Sequence, residues 1–272
     1  MNLNFFRKAF VFLKRDLLIN ASYKFAFLFD LGSIIFSVLT FFFVARLFGE
    51  KALIYLTNYG GDYFSFVLIG IAFSGYLSTA MNSFCQTISE EQAYGTLEAI
   101  ILSPTKISTL VICGSIWNFL FTSLRIIVYL ILGWLFFGLD LSKINLVSSM
   151  IILILTIISF SSLGIISAGL VLVLKRGDPI NWLFNGLSRF LGGVYFPISI
   201  LPLWVQKISL FLPLTHSLEG VRKSLILGTS IKELTPQIFM LSIYILIFLP
   251  LGILGFKAAI KRAKKDGSLI YT

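Results

Sequence analysis

The chain has 272 residues, of which 57% are hydrophobic and only 12% are charged, and its mean hydropathy is +0.95. A soluble domain carries about twice this fraction of charge, so the composition excludes a soluble globular protein and indicates an integral membrane protein. In such a protein the net charge of +10 indicates basic flanks that face anionic membrane lipids, and not a nucleic-acid partner.

The N-terminal residues 3–20 have an amphipathic pattern. Apolar side chains recur at helical spacing on one face and basic side chains on another: Phe6, Phe10, Leu13 and Leu17 against Arg7, Lys8, Lys14 and Arg15. This pattern predicts a helix that lies in the membrane interface. A signal peptide is disfavoured, because the first long apolar run begins only at Phe25 and lacks a small-residue cleavage site.

Apolar segments account for most of the remaining chain. We predict an all-α fold, a single transmembrane domain over 1–272 that leaves no room for a separate soluble domain. The predicted membrane spans are 25–48, 63–87, 107–137, 146–174, 180–196 and 234–256.

Among the polar residues within these spans, Asp30, Asn118, Arg125 and Arg189 are candidates for a functional role. Asp30 is either a buried functional carboxylate or a group near the headgroups that pairs with Lys24 or another neighbour. Because an arginine at the bilayer centre costs about 2.5–3.5 kcal/mol, Arg125 is expected to face protein, water or the outer interface. Arg189 either contacts the substrate or a gate, or pairs with a polar residue of a neighbouring helix. Arg189, Arg125 and Asn118 are therefore candidates for a substrate path.

The loop at 88–106, between the second and third spans, is acidic. It carries three glutamates, Glu90, Glu91 and Glu98. The spacing of Ser89 and Gln92 is that of a capping box and Pro104 ends a helix, so the loop predicts a short helix that begins near Ser89. Gly95 in its middle costs roughly 1 kcal/mol, which is tolerable if another group approaches the backbone closely. An acidic loop in a basic protein favours a protein partner with basic groups.

The segment 197–226 is interrupted by Pro197, Pro202 and Pro213, which preclude one continuous helix. The residues between these prolines are nevertheless too apolar for a loop in water. We predict a re-entrant segment of short helices that enters the outer leaflet and returns. His216 in this segment is either a proton-sensing or substrate contact, or an interfacial residue that anchors the turn.

The basic residues predict the orientation. With the N-terminus inside, the cytoplasmic side receives Arg7, Lys8, Lys14, Arg15, Lys24, Lys106, Lys175, Arg176, Lys257, Lys261, Arg262, Lys264 and Lys265. The outer side receives fewer: Arg46, Lys51, Lys143, Lys207, Arg222, Lys223 and Lys232. The positive-inside rule therefore favours two cytoplasmic termini and six spans in the cell membrane.

Motifs for catalysis and cofactor binding are missing from the sequence. The only histidine is His216, and Cys85 and Cys113 do not have Cys-x-x-Cys spacing, so we predict no metal site. No Gly-x-x-x-x-Gly-Lys-Ser/Thr loop occurs, so the chain is not expected to bind a nucleotide itself. We predict no catalytic residue and no cofactor held by this chain.

Two motifs resemble those of the type-2 ATP-binding-cassette (ABC) transporter permeases. The first, Glu-x-x-x-Gly-Thr-Leu-Glu followed by Ser-Pro, resembles their cytoplasmic coupling loop and comprises Glu91, Gly95, Thr96, Leu97, Glu98, Ser103 and Pro104. The second, Phe-Pro-Ile-Ser-x-Leu-Pro-x-Trp at 196–204 and Leu-Pro-Leu-Thr-His-Ser-Leu-Glu-x-Val-Arg at 212–222, resembles the re-entrant segment before their last span. The order and spacing of the motifs extend the resemblance over essentially the whole chain.

The resemblance implies partners and site residues. It implies two copies of a separate ABC ATPase that binds ATP and Mg²⁺, and a second permease copy with the substrate path between the two. The implied ATPase-coupling residues are Glu90, Glu91, Tyr94, Gly95, Thr96, Leu97 and Glu98. The implied outer gate comprises Phe196, Pro197, Pro202, Trp204, Pro213 and His216.

Three functions are compatible with these features. The first is ATP-driven export of a hydrophobic or amphipathic molecule such as a drug or lipid. The second is export of a lipid-linked polysaccharide, which the excess of Phe over Trp and Tyr weakly disfavours. The third is a stand-alone carrier or an intramembrane enzyme. Such proteins show paired broken helices or a catalytic His/Asp/Ser group, and neither is seen in the sequence.

Overall fold

The computed structural model describes residues 2–60, 62–93, 95, 107–174 and 179–265. Secondary structure in these ranges is helical, with no β-strand among them. The long helices are α1 (Asn2–Ser22), α2 (Lys24–Leu56), α3 (Tyr63–Ala93), α4 (Ile107–Phe137), α5 (Leu146–Leu174) and α9 (Thr235–Lys265). Shorter helices lie between α5 and α9, namely α6 (Pro179–Leu191), α7 (Leu203–Ser209) and α8 (Pro213–Arg222).

Within the described ranges, five helices are long and apolar enough to cross a membrane: α2, α3, α4, α5 and α9. The predicted all-α class is thus confirmed. The predicted span 180–196 is helical only over Pro179–Leu191. At 1.5 Å per residue this helix is about 20 Å long, whereas a hydrocarbon core is about 30 Å thick. The six-span layout stays a prediction.

The observed helix bounds agree with the predicted ones where residues that disfavour helix follow the apolar run. Helices α4 and α5 have the bounds predicted for the spans 107–137 and 146–174. In contrast, α2 continues beyond 48 to Leu56, α3 beyond 87 to Ala93, and α9 beyond 256 to Lys265. Loss of hydropathy does not end a helix. Glycines with left-handed backbones follow α2 and α3, Gly60 at φ 85° and Gly95 at φ 68°.

Helix α3 is the centre of the bundle. The apolar window of α3 is 78% buried, whereas that of α2 is 11% and that of α9 is 17% buried. The core cluster that surrounds α3 draws side chains from α4, α5, α8 and α9, including Ile126, Phe160, Leu218 and Leu241. Helices α2 and α6 flank α3, so residues of α3 can face both of them.

Close approach of α3 and α5 depends on a small residue. A Cβ atom built on Gly164 of α5 would overlap the carbonyl of Ala80 on α3. Small residues at helix contacts are the usual means by which membrane helices approach one another closely. Gly164 therefore sets the distance between α3 and α5.

The two ends of the bundle differ. At one end, here called the α1 end, Phe12 of α1 packs against a cluster formed by Phe84, Val111, Ala168 and Phe256. Helix α1 is continuous over the predicted 3–20, and Phe6 and Phe10 are exposed on its surface. Its position in a membrane interface stays a prediction.

The opposite end, here called the α8 end, contains the broken segment after α6. Pro202 precedes α7 and Pro213 is the first residue of α8, so these prolines start short helices as expected. Helix α8 is almost wholly buried, whereas Leu203 and Trp204 of α7 are exposed. The segment 197–226 thus consists of short helices, and its predicted re-entry into a membrane stays a prediction.

Candidate functional site

A polar cavity of about 360 Å³ lies beside α3, between α2, α4 and α6. Its lining residues come from α2, α3, α4, α6 and the turn after α6: Ser37, Phe41, Ile71, Ala72, Ser74, Gly75, Ser78, Thr79, Thr122, Arg125, Tyr129, Arg189 and Tyr195. The members on α3 and α4 recur three or four residues apart, which places each set on one helix face. A volume of a few hundred Å³ is typical of ligand pockets.

Hydroxyl groups connect the α3 and α4 walls. The Thr79 hydroxyl donates to Thr122 Oγ1 at 2.6 Å, and Thr122 in turn donates to the Asn118 carbonyl at 2.8 Å. One turn away, the Tyr76 hydroxyl donates to Ser123 Oγ at 2.8 Å. Because these groups satisfy one another, polar side chains are tolerated at the contact between two apolar helices.

Arg189 reaches the cavity from the last turn of α6. Its Nη2 donates to Ser78 Oγ at 2.9 Å, and Ser78 donates to Asn185 Oδ1 at 3.1 Å. Asn185 lies one turn before Arg189 on the same face of α6. The Nε of Arg189 is buried and has no hydrogen-bond partner. Arg189 therefore has the predicted polar neighbour on another helix, and it also lines the cavity.

Arg125 lines the cavity from α4 and pairs with Asp30 of α2, with 3.2 Å between Nη2 and Oδ1. Both side chains are about two-fifths exposed on the bundle. At 1.5 Å per residue, Arg125 is about 18 Å from the last residue of α4, well inside the helix. The partner of Asp30 is thus Arg125, and not Lys24. Asn118, two turns earlier on α4, is not among the lining residues.

Aromatic side chains close the cavity toward the α8 end. Phe41 of α2 stacks on Tyr195 of the turn after α6, with ring centroids 5.9 Å apart. The Tyr63 hydroxyl at the start of α3 donates to the Tyr195 carbonyl at 3.1 Å, which holds that turn in place. Separation of α2 from the turn after α6 would open this side.

Arg222 organises the α8 end. The residue is 3% exposed, and its guanidinium donates to the carbonyls of Phe66 at 3.1 Å, Gly193 at 2.9 Å and Val194 at 3.2 Å. Burial lowers the pKa of Arg222 to about 9, against the opposing effects of Tyr59 and Glu219. A Cβ atom on Gly70 would overlap the Val194 carbonyl, so this approach of α3 to the turn requires glycine. The sequence motif at 212–222 ends on Arg222, but no role was predicted for it.

The residues predicted for an outer gate lie along the broken segment at the α8 end, at 196–216. The His216 Nε2–H donates to the Leu210 carbonyl at 2.8 Å, and its ring lies 6.3 Å from that of Tyr244 on α9. Phe196 packs edge-on against Phe190, with centroids 5.2 Å apart. Pro197 and Pro213 are buried and Trp204 is 68% exposed. None of these residues lines the cavity, and their role in a gate stays a prediction.

The predicted coupling loop lies mostly outside the described residues. Tyr94, Thr96, Leu97 and Glu98 are not described, nor is the side chain of Glu91. The predicted helix start at Ser89 is wrong, because α3 continues through it to Ala93.

Two described residues of this loop explain that difference. The exposed Glu90 accepts a hydrogen bond from Gln86 at 2.7 Å, a contact of one helical turn that supports the continuation of α3. Gly95 is also not in mid-helix. Its left-handed backbone explains the glycine, and a Cβ atom there would meet no other group within 4 Å.

Arg125 and Arg189 both line the cavity, and their role in a substrate path stays a prediction. The other polar residues of the cavity wall were not predicted. Gly75, Ser78 and Thr79 have helical spacing, and Thr122 has it with Arg125 and Tyr129, so the polar faces were visible in the sequence. The sequence does not show that these faces of α3 and α4 contact each other. Among the described side chains, no group of three His, Cys, Asp or Glu is placed to hold a metal ion.

Comparison with known proteins agrees with this architecture. The model of the ABC-2 type transporter family matches residues 8–226. The chain is also similar to "Putative transport permease ycf38" of Cyanophora paradoxa, with 25% identity over 221 residues that cover 78% of this chain and 76% of that protein. Since the family match extends over most of the chain, the chain belongs to the ABC-2 type transporter family, whose members are membrane-spanning components of transporters and are not themselves catalytic.

Proposed function

We propose that this chain is the membrane subunit of an ABC exporter that carries a hydrophobic or amphipathic molecule, such as a drug or lipid, out of the cell. The observation that carries the proposal is the cavity, a polar space of about 360 Å³ with arginine side chains between apolar helices. Ionisable groups within membrane helices are costly and typically mark a substrate pathway. Family membership supports transport as the purpose of that pathway.

The energy source is a separate ATPase. The chain has no nucleotide-binding loop, and ATP and Mg²⁺ are bound by two copies of the ATPase subunit, on the cytoplasmic side with both termini. The acidic loop 88–106 and α1 are the surfaces that the ATPase contacts. Helix α1 lies at the α1 end, where Phe12 contacts the ends of four long helices, including the end of α3 that precedes this loop. A movement imposed on α1 is therefore passed directly to the bundle.

A second copy of the chain completes the pathway, and the α8 end forms its outer gate. The gate is held shut by Arg222, which fixes the turn after α6, and by the stack of Phe41 on Tyr195. ATP binding biases the two states of this gate only if the ATPase contacts them differently.

Export of a lipid-linked polysaccharide is the second candidate. It is favoured by the hydroxyl and tyrosine side chains of the cavity wall, including Thr79, Thr122 and Tyr129, which can hydrogen-bond to sugar hydroxyls.

The test is co-expression with any P-loop ATPase that an adjacent reading frame encodes, followed by purification and measurement of ATP hydrolysis. We expect the two proteins to co-purify and the chain to stimulate hydrolysis. The double variant Glu91→Lys/Glu98→Lys should abolish that stimulation while leaving the protein folded. Glu233→Lys, at an exposed glutamate of the opposite end, is the control and should leave it unchanged. If the Glu91→Lys/Glu98→Lys variant stimulates ATP hydrolysis as much as the Glu233→Lys control does, the loop 88–106 does not couple this chain to the ATPase.

A further inference from the structure

The charges around the cavity do not balance. Arg125 and Arg189 are among its lining residues, and no carboxylate is. Asp30, outside the lining, pairs with Arg125. Arg189 has a hydroxyl as its hydrogen-bond partner, and its Nε is buried without one. Within the described residues, the cavity wall therefore keeps one positive charge that no carboxylate neutralises.

Arg189 is half-buried, and a guanidinium that loses part of its water without gaining a counter-ion pays a cost in free energy. A phosphate or carboxylate that enters the cavity would supply that counter-ion. Guanidinium groups suit this task because their N–H groups form a planar fork that matches two oxygens of one anion. The Nε of Arg189 is buried without a hydrogen-bond partner, so protein groups do not fully satisfy this guanidinium.

The other residues of the cavity wall are of two kinds, polar and apolar. Ser74, Ser78, Thr79 and Thr122 provide hydroxyl groups, of which that of Ser78 contacts Arg189. Phe41, Ile71 and Ala72 provide apolar surface. A ligand with a polar anionic head and an apolar body fits both parts. We infer that the cavity binds the anionic head group of an amphipathic substrate, with Arg189 as its principal ligand and Arg125 as a second. This inference rests on the proposed transport function and specifies its substrate class.

The positive charge of the cavity wall favours anionic substrates over cationic and zwitterionic ones. A cationic amphipath would meet the guanidinium of Arg189, which no carboxylate neutralises among the described residues, so it would be repelled. A zwitterionic head would bring a second, positive group to the same place and gain less than a head with phosphate alone.

The test measures binding of three probes to the purified full-length chain by isothermal titration calorimetry. The probes are dihexanoyl phosphatidic acid, dihexanoyl phosphatidylcholine and inorganic phosphate. We expect the phosphatidic acid to bind at least tenfold more tightly than either of the others. Equal affinities for the two lipids would overturn the inference. Inorganic phosphate as tight as the phosphatidic acid would also overturn it, since the site would then serve a free anion.

Substitutions at Arg189 and at a control position test whether phosphatidic acid binds in the cavity. Arg189→Gln should reduce the preference for phosphatidic acid to threefold or less, and Arg189→Lys should retain most of it. Arg46→Gln is the matched control, because Arg46 lies on α2 outside the cavity, against Phe42. It should leave the preference unchanged. A preference that survives Arg189→Gln, or falls equally in Arg46→Gln, would show binding elsewhere and overturn the inference.

The variant Asp30→Asn provides a second test, which can be used if the Arg189→Gln protein does not fold. This change frees Arg125 from its carboxylate, so the preference for phosphatidic acid should rise severalfold. An unchanged or reduced preference in a folded Asp30→Asn protein would contradict the inference. All these measurements use the chain without an ATPase. A normal ATPase stimulation with no lipid preference would therefore refute this inference alone and leave the proposed function standing.

Discussion

The guanidinium of Arg222 lies over the ring of Phe66, 3.5 Å from its centre. The same guanidinium donates to the carbonyls of Gly193 and Val194, so one side chain joins α8, the start of α3 and the turn after α6. These three segments are far apart in the sequence. Their junction at the α8 end fixes the turn whose Tyr195 closes the cavity.

Loss of the Arg222 guanidinium should destabilise the protein strongly. Arg222→Met leaves three buried carbonyls without their donor, and we expect the free energy of unfolding to fall by about 3 kcal/mol. Lys223→Met is the control, since its half-buried ion pair with Glu219 lies within α8 and the turn after it and contributes about 0.5 kcal/mol. Denaturant unfolding of both variants in one detergent measures the difference. Equal losses would show that Arg222 is not the junction described here.

The α3–α5 contact depends on the size of residue 164. Gly164→Ala places a methyl group against the Ala80 carbonyl, and we expect a loss of about 1–3 kcal/mol because the helices must separate. Gly32→Ala on α2 is the matched control, since its Cβ meets no group within 4 Å. That change should be neutral or stabilising by up to about 1 kcal/mol, from helix propensity. Thermal unfolding distinguishes the two, and a tolerated Gly164→Ala would refute the close approach.

The hydroxyl pair Thr79–Thr122 should show energetic coupling. The two oxygens are 2.6 Å apart across the α3–α4 contact, and hydrogen bonds between membrane helices contribute about 0.6 kcal/mol on average. A double-mutant cycle with Thr79→Ala and Thr122→Ala should give a coupling energy near that value. Ser242→Ala in place of Thr122→Ala is the control, because Ser242 bonds within α9 to the Ile238 carbonyl. Additive effects in the first cycle would exclude the hydrogen bond.

The predicted orientation is testable by surface labelling. In a background with Cys85→Ser and Cys113→Ala, single cysteines are placed by Glu90→Cys and Ser230→Cys, at two exposed positions near opposite ends of the bundle. An impermeant maleimide should label Ser230→Cys in intact cells and Glu90→Cys only after the membrane is opened. Labelling of Glu90→Cys in intact cells would place the coupling loop outside and contradict the proposed contact with an ATPase.

Much of the fold followed from apolar length and from prolines. The bounds of α4 and α5 were predicted because each apolar run ends at a loop, and the breaks at Pro202 and Pro213 followed from the missing N–H of proline. The end of α3 was not predicted. Residues after Thr87 are polar but compatible with helix, and the left-handed Gly95 lies beyond the point where hydropathy falls.

The site was predicted only in part. Arg125 and Arg189 stood out because a charge in an apolar run is unusual, whatever its neighbours. The partner of Asp30 and the contact of Arg189 with Ser78 depend on which helices are adjacent, and one sequence does not contain that information. Arg222 was counted among outer basic residues, since its burial against backbone carbonyls has no signature in residue type or spacing.

We propose that this chain provides the pathway for the substrate and that a separate ATPase provides the energy for transport. The most direct test of this proposal is accumulation of a labelled short-chain phosphatidic acid against its gradient in proteoliposomes that contain the chain alone, or the chain with its ATPase and ATP. We expect accumulation only when the ATPase and ATP are both present. Accumulation by the chain alone, driven by an ion gradient, would contradict the proposal.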